Sequence, residues 1–281
     1  MNRLCVADRG RGSPVLLVHG QPGLGSDWDA VAALLVDDHR VLVPDRPGYG
    51  ASGSETLSMQ GNAEALADVL AERHAAPATV VGHSYGGGVA ILLAAAHPEL
   101  VAGLVLVGSV GRADSVGAVD HLLALPVVGE VLSAAGLFAL GRVLPRLRGV
   151  VGTTRPSLER LRAILPDDRF VHASSQLGRQ LWRSFVAEQR WLLDEIGDVE
   201  AALGALDVPT VVISGTWDVV VPPSVSASIA ATVPVAQLVI VPRTGHFVPR
   251  DAPAAVASAV RRVEGRARGE DPNASEDAGA H

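Results

Sequence analysis

Short apolar runs rich in valine, leucine and isoleucine alternate with helix-like stretches in two parts of the chain, residues 13–109 and 208–262. Runs of this kind, with turn residues on both sides, are typical of buried parallel strands. Because strands and helices alternate, the pattern predicts an α/β fold with a mostly parallel sheet. The runs cover residues 15–18, 40–44, 78–81, 104–107, 208–213 and 239–241.

Between these two parts, residues 111–203 contain no strand-like run and favour helices instead. The apolar spacing of Leu181, Phe185 and Ile196 is that of an amphipathic helix. An uncharged stretch at 131–141 is too short to span a bilayer. The helix-like stretches are 116–125, 129–147, 157–165 and 168–196, and they are broken by Pro126, Pro145, Pro156 and Pro166.

These changes of pattern predict the domain organisation. Residues 1–110 and 204–264 would form the α/β core, and residues 111–203 would form a helical insertion. Residues 265–281 are polar, acidic and poor in large apolar groups, so we predict a disordered tail there.

The segment Gly82-His83-Ser84-Tyr85-Gly86 lies between the strand-like run at 78–81 and a helix-like run at 89–96. A serine flanked by glycines at a strand-to-helix turn is the context of a nucleophile elbow. The glycines allow a strained serine backbone and a close approach of the helix to the strand. The turn would place the Ser84 hydroxyl at a helix N-terminus, where N–H groups favour developing negative charge. We therefore predict Ser84 as the nucleophile.

A serine nucleophile needs a base and an acid that orients the base, and both candidates follow later in the chain. His246 lies in the loop just past the strand-like run at 239–241 and is the predicted base. Asp218 follows the strand-like run at 208–213 and is the predicted acid. Asp114, in the loop after the strand-like run at 104–107, remains an alternative acid, and Asp218 could also serve only as a turn cap.

The candidate oxyanion hole comes from another strand end. The run at 15–18 leads into His19-Gly20-Gln21-Pro22-Gly23, whose glycines let the backbone approach a ligand closely. We expect the backbone N–H groups of Gln21 and Tyr85 to bind the oxyanion. The segment lacks the lysine of a phosphate-binding loop, and the glycine spacing of a dinucleotide site is absent.

With these motifs in this order, the chain resembles the α/β-hydrolase superfamily, in particular members with an HG-x-PG oxyanion loop. The resemblance extends over residues 10–262 and includes the Asp45–Ser52 turn, Asp-Arg-Pro-Gly-Tyr-Gly-Ala-Ser. In that turn the resemblance implies structural roles for Asp45 and Arg46. It also implies that residues 111–203 form a cap over the active site. Before residue 15 there is room for one short edge strand, at 4–7, whereas the family usually has two strands there. We therefore expect a sheet of about seven strands.

The resemblance also indicates which reaction class within the superfamily to expect. Epoxide hydrolases and haloalkane dehalogenases of this superfamily have an aspartate where this chain has Ser84, so a serine implies acyl transfer through an acyl-enzyme. The expected activity is a carboxylesterase-like serine hydrolase that acts on a small, partly apolar ester or related acyl compound. The alternatives are a carbon–carbon bond hydrolase, a cofactor-free perhydrolase, and a non-hydrolytic member such as a biosynthetic lyase, a cyclase or a small-molecule receptor.

Apolar side chains of the insertion and of the loops near the site are candidates for substrate binding, although most of those in the insertion are expected simply to pack it against the core. The candidates are Leu122, Phe138, Trp182, Phe185, Trp217 and Phe247.

Composition and charge restrict the classes of partner that we expect. The chain has 281 residues, is 48% hydrophobic and carries a net charge of −7, which disfavours nucleic acid and anionic membranes as partners. A single cysteine, Cys5, and no apparent signal peptide fit a cytoplasmic protein. The histidines show no metal-site spacing, so we expect no metal and no cofactor. The expected partner is a small-molecule substrate. We expect the protein to be a monomer or a homodimer, without stable insertion into a membrane.

Overall fold

The computed structural model describes residues 4–53, 55–136 and 168–270, with the backbone alone for residues 168–180. The predicted helix at 157–165, most of the one at 129–147 and the candidate Phe138 lie outside the described residues. So do residues 271–281 of the predicted tail.

The described residues form a seven-stranded sheet in the order β1-β3-β2-β4-β5-β6-β7. β1 pairs antiparallel with β3, and every other pairing is parallel. The predicted α/β fold with a mostly parallel sheet is therefore confirmed. The strands are β1 Val6–Gly10, β2 Ser13–Val18, β3 His39–Pro44, β4 Ala78–His83, β5 Val101–Val107, β6 Thr210–Gly215 and β7 Ala236–Val241.

Helices cover both faces of the sheet, and the sheet separates two apolar cores. One core contains Trp28, Leu35 and Val260, and the other contains Leu66, Ile91 and many smaller side chains. The helices are α1 Asp29–Leu35, α2 Met59–Glu72, α3 Tyr85–Ala96, α4 Ala118–Ala124, α5 Val128–Gly136, α6 Asp168–Leu203, α7 Pro223–Thr232, α8 Val248–Asp251 and α9 Pro253–Ala267.

The centre of the fold is β4 and the helix that follows it. All six residues of β4 are buried, because the strand pairs with β2 and β5 and helices cover both faces of the sheet; Thr79 and His83 are buried polar residues within it. The first ten residues of α3, Tyr85–Ala94, are also buried, because the helix lies between the sheet and α2 and α6. The junction of these two elements at Ser84 is consequently held rigidly on both sides.

The described residues between β5 and β6 are mainly helical, and α6 packs against α2, α3 and α4. The observed bounds differ from the predicted ones: α4 is shorter than 116–125, and α6 continues seven residues beyond 196 to Leu203. Val199 and Leu203 are fully buried, so packing against the core extends the helix beyond the stretch that its local pattern predicted.

Two predicted ends also need correction. The first strand begins at Val6 and ends at Gly10, later than 4–7, because its ladder with β3 runs from Val6 opposite Pro44 to Gly10 opposite Arg40, with the Asp8 carboxylate accepting from the Arg40 side chain. At the other end, α9 continues to Ala267, so the predicted tail at 265–281 starts too early.

In the described parts of the chain, no single helix is both long and apolar enough to cross a membrane. α4 and α5 meet the length and composition criterion only when they are taken together, and they are bent by 107°.

Candidate active site

Ser84 lies between β4 and α3 with a backbone φ of +54°, a left-handed conformation that is rare outside glycine. The N–H of Ser84 donates to the Val107 carbonyl at 3.0 Å, which ties the turn to the neighbouring strand β5. A Cβ on Gly82, in β4, would collide with the carbonyl oxygen of Gly86 in α3, so the helix approaches the preceding strand closely. The strained serine conformation and this close backbone approach are the two features that the elbow pattern predicted.

His246 and Asp218 meet at the same edge of the sheet. Nδ1 of His246 lies 2.9 Å from Oδ2 of Asp218, and both side chains are buried. The other oxygen, Oδ1 of Asp218, accepts from the N–H groups of Val220 and Val221, each at 2.9 Å. Because a carboxylate only accepts, Nδ1 of His246 is the donor and Nε2 is left free to take a proton.

Asp114 does not lie in this cluster. It is in a 3₁₀ turn, Ala113–Ser115, with its exposed carboxylate 3.6 Å from Nε of Arg112. Of the two acids predicted as alternatives, Asp218 is the one that the structure brings to His246.

His83 supports the loop that carries His246. Its Nε2 lies 2.9 Å from the backbone carbonyl of His246, and the two rings are 4.8 Å apart between centroids. Burial, with a smaller effect from His246, lowers the pKa of His83 to about 3, so its ring is neutral near pH 7. Since the carbonyl only accepts, Nε2 of His83 carries the proton and donates it.

The candidate oxyanion loop follows β2 and lies against the elbow. A Cβ on Gly20 would be 3.0 Å from the Cβ of Ser84 and 3.2 Å from the His83 carbonyl oxygen, so a larger residue there would press on the elbow. Nδ1 of His19 lies 2.9 Å from the Gly20 carbonyl, and Nε2 of His19 accepts from the Arg46 N–H at 2.9 Å. The second expected donor, the N–H of Tyr85, belongs to the first residue of α3 and has no acceptor within the helix.

Arg46 connects this loop to α6. Its guanidinium donates to the carbonyls of His19 and Gly20, each at 2.9 Å, and forms a buried ion pair with Glu188 of α6. The hydroxyl of Tyr49 donates to Glu188 Oε2 at 2.5 Å. The sequence indicated a structural role for Arg46 and gave no role to Glu188. A signal was present, because Glu188 stands on the apolar face of the helix, three residues after Phe185 and four before Leu192.

A second connection joins the oxyanion loop to the helical insertion. Nε2 of Gln21 donates to Oε1 of Gln189 at 2.6 Å, and Nε2 of Gln189 donates to Asp120 on α4 at 3.1 Å. The loop, α4 and α6 are therefore held together by consecutive amide contacts. Neither Gln189 nor Asp120 was predicted from the sequence, since neither lies in a motif.

The predicted substrate-binding residues fall into three groups. The Phe247 ring lies 5.7 Å from the His246 ring and 6.3 Å from the His83 ring, so it is part of the cluster. Trp182 and Phe185 are half-buried on α6, and Trp217 is half-buried in the loop that precedes Asp218. Leu122 lies on α4 with 44% of its surface exposed.

Within the described residues, no group of three or more histidine, cysteine, aspartate or glutamate side chains is arranged to hold a metal ion. The Ser84 turn and the His246–Asp218 pair lie at the same edge of the sheet, where His83 of the turn contacts the His246 carbonyl.

Comparison with known proteins decides the family. A family model described as "Alpha/beta hydrolase family" matches residues 15–259, most of the chain. The chain belongs to the alpha/beta hydrolase family. This membership confirms the resemblance that the motifs indicated.

Individual relatives are hydrolases. The chain is 32% identical over 270 residues to a 2-hydroxymuconate semialdehyde hydrolase of Pseudomonas sp. strain CF600, with 90% of this chain and 87% of the relative covered. It is 30% identical to a pimeloyl-[acyl-carrier protein] methyl ester esterase of Nitrosomonas europaea, covering 88% and 93%. A thermophilic esterase from Thermogutta terrifontis has a similar structure, with a TM-score of 0.70, 25% identity and coverage of 94% and 93%. The similarities support hydrolase chemistry.

Proposed function

We propose that this chain is a serine hydrolase that cleaves an ester or related acyl group of a small, partly apolar substrate. The observation that carries the proposal is the 2.9 Å contact between His246 Nδ1 and Asp218 Oδ2, at the same edge of the sheet as the strained Ser84 turn. A donor at Nδ1 leaves Nε2 as the basic nitrogen, as a serine mechanism requires.

The proposed reaction has two halves. Ser84 Oγ attacks the acyl carbon while His246 Nε2 takes the hydroxyl proton, and Asp218 stabilises the resulting imidazolium. The N–H groups of Gln21 and Tyr85 stabilise the oxyanion. His246 returns the proton to the leaving group, and an acyl-enzyme remains. Water then attacks the acyl-enzyme through the same groups, which releases the acid and restores Ser84.

We further propose that residues 111–203 act as a cap that shapes the substrate pocket. The contacts of Glu188 and Gln189 with Arg46 and Gln21 support this role, because they fix α6 against the candidate oxyanion loop. Apolar side chains such as Phe185 on α6 and Phe247 next to His246 favour a substrate with an apolar portion.

A second candidate is hydrolysis of a carbon–carbon bond next to a carbonyl group. It is favoured by the 32% identity with 2-hydroxymuconate semialdehyde hydrolase over 90% of the chain. The same serine, imidazole and N–H groups can serve this reaction, in which the leaving group is a carbon acid instead of an alcohol.

The experiment that separates the two candidates compares substrates on the purified full chain. One arm uses the p-nitrophenyl esters of acetate, butyrate, octanoate and laurate, and the other uses 2-hydroxymuconate semialdehyde. We expect the higher kcat/KM in the ester arm, abolished by Ser84→Ala. A higher kcat/KM for the semialdehyde would favour carbon–carbon hydrolysis, and turnover in neither arm would favour a non-hydrolytic role.

A further inference from the structure

Two donors converge on the carbonyl oxygen of Gly20. The Nη2 of Arg46 lies 2.9 Å from it, and Nδ1 of His19 also lies 2.9 Å from it. A trans peptide unit is planar, and its C=O and N–H point in opposite directions. The N–H in the same peptide unit as the Gly20 carbonyl is that of Gln21, one of the two candidate oxyanion donors. Holding the carbonyl towards Arg46 therefore directs the Gln21 N–H away from Arg46.

Arg46 is itself held by a residue distant in sequence. Its side chain and that of Glu188 are both 0% exposed, and they form an ion pair across 142 positions of the chain. Further contacts orient both groups: Nε of Arg46 donates to the His19 carbonyl at 2.9 Å, and the Tyr49 hydroxyl donates to Glu188 at 2.5 Å. A guanidinium this deeply buried requires a carboxylate partner, because an unpaired buried charge is strongly unfavourable.

We propose that Glu188, acting through Arg46, is a positioning residue for the oxyanion hole. By neutralising Arg46 within the fold, Glu188 keeps the guanidinium on the Gly20 carbonyl, and this contact orients the Gln21 N–H for the developing oxyanion. The inference rests on the proposed function. Glu188 contacts no reacting atom in this scheme. It affects kcat only because it helps to fix the orientation of the Gly20–Gln21 peptide.

The same geometry predicts how loss of Glu188 affects the kinetics. Without its carboxylate, Arg46 loses its charge partner and leaves the Gly20 carbonyl, so the Gly20–Gln21 peptide is free to rotate. The oxyanion forms only after attack on the carbonyl carbon, so this rotation weakens binding of the transition state and leaves binding of the substrate nearly unchanged. A general loosening of the fold would instead lower the melting temperature, and it would not affect kcat selectively over KM.

The test measures kcat and KM on p-nitrophenyl acetate for Glu188→Gln and Arg46→Lys, with Glu188→Asp as the conservative variant. It also measures Ki for an alkyl trifluoromethyl ketone, which mimics the tetrahedral oxyanion. We expect kcat to fall about 10- to 100-fold in the first two variants, with KM within about 3-fold and Ki rising in proportion to the loss of kcat. In Glu188→Asp, kcat and Ki should both lie between the values of the wild type and those of Glu188→Gln.

The control is Glu195→Gln on the same helix. Oε2 of Glu195 accepts from the N–H groups of Met59 and Gln60 at 2.7 and 3.3 Å, and these contacts join α6 to the start of α2 instead of to the oxyanion loop. This variant should lower the melting temperature while kcat stays within about 2-fold. If Glu188→Gln does not fold, the double variant Arg46→Met/Glu188→Met removes both buried charges together and should fold with the same loss of kcat.

The outcomes separate the inference from the function on which it rests. Labelling of wild-type Ser84 by a fluorophosphonate tests the serine mechanism itself. If Ser84 is labelled and the folded Glu188 and Arg46 variants keep kcat and Ki within about 3-fold of wild type, the positioning role is wrong and the proposed function stands. If wild-type Ser84 is not labelled, the proposed function is wrong and the positioning role is overturned with it.

Discussion

Nε2 of His83 donates a hydrogen bond to the backbone carbonyl of His246 over 2.9 Å, and His83 immediately precedes Ser84. The residue before the candidate nucleophile thus holds the loop that carries the candidate base. This contact fixes the His246 loop to β4, a strand that is buried along its whole length. In the proposed mechanism, the distance between Ser84 and His246 therefore depends on His83.

The first prediction concerns this contact. His83→Leu removes the donor and leaves the His246 carbonyl unsatisfied, so kcat should fall about 10-fold as His246 loses its fixed position. His83→Gln keeps an N–H donor of similar reach and should retain most of the wild-type kcat. His97→Leu serves as the control, because His97 is half-buried and pairs with Glu64 away from the site. Equal kcat values for wild type and His83→Leu on p-nitrophenyl acetate would contradict the role.

The second prediction concerns stability at acid pH. The pKa of His83 is lowered to about 3 in the fold, mainly by burial, while the pKa of a histidine in an unfolded chain is about 6.5. Between these two values the unfolded chain binds more protons than the folded one, so the free energy of unfolding falls as the pH falls. The contribution of His83 amounts to about 2 kcal/mol between pH ~7 and pH ~5.

Urea unfolding at these two pH values measures this contribution, with His83→Gln as the reference that lacks the titrating group. The pKa of His19 is also lowered, by burial and by Arg46, but His19 is common to both proteins and its effect cancels. The wild type should lose more stability than His83→Gln on acidification. Parallel losses in the two proteins would show that His83 is not buried as a neutral ring.

The third prediction concerns Gly108. Its φ is +48°, and a Cβ there would be 3.1 Å from Asp218 Oδ2 and 3.3 Å from His246 Nδ1. Gly108→Ala should displace the Asp218–His246 pair and lower kcat about 10- to 100-fold. A Cβ added to Gly197 on α6 would meet no atom within 4 Å, so Gly197→Ala should keep the wild-type kcat and slightly raise the melting temperature. Unchanged kcat in Gly108→Ala would mean that the pair tolerates displacement.

The fourth prediction separates the two acids. Asp218→Asn should lower kcat by about 10³- to 10⁴-fold, because the amide can still accept from Val220 and Val221 but presents N–H groups to His246 and favours the wrong tautomer. Asp114→Asn should leave kcat within about 2-fold, since Asp114 is exposed beside Arg112. The opposite order of effects would assign the acid to Asp114.

Local patterns predicted much of the fold and the candidate site because the chemistry lies at strand ends. Ser84, Asp218 and His246 each follow an apolar run, and parallel strands bring the residues after such runs to one edge of a sheet. The strands themselves were predictable because burial on both faces leaves continuous apolar runs, as in β5.

Contacts between distant segments were not predictable in the same way. The Arg46–Glu188 ion pair joins a turn after β3 to the helical insertion, and no local pattern specifies which buried arginine a glutamate meets. The hydrogen bond from His83 to His246 spans 163 positions and uses a backbone carbonyl, which carries no sequence signal. Element ends shifted for a similar reason, since Val199 and Leu203 extend α6 through packing against the core.

The most direct test of the serine mechanism is labelling of the full chain with a fluorophosphonate, followed by peptide mass spectrometry. The account predicts a single adduct, on Ser84, and none in Ser84→Ala. The same variant should keep the wild-type melting temperature and lose about 10⁴- to 10⁶-fold in kcat on p-nitrophenyl esters. An adduct on another residue, or near-normal turnover by the folded Ser84→Ala protein, would contradict the assignment of Ser84 as the nucleophile.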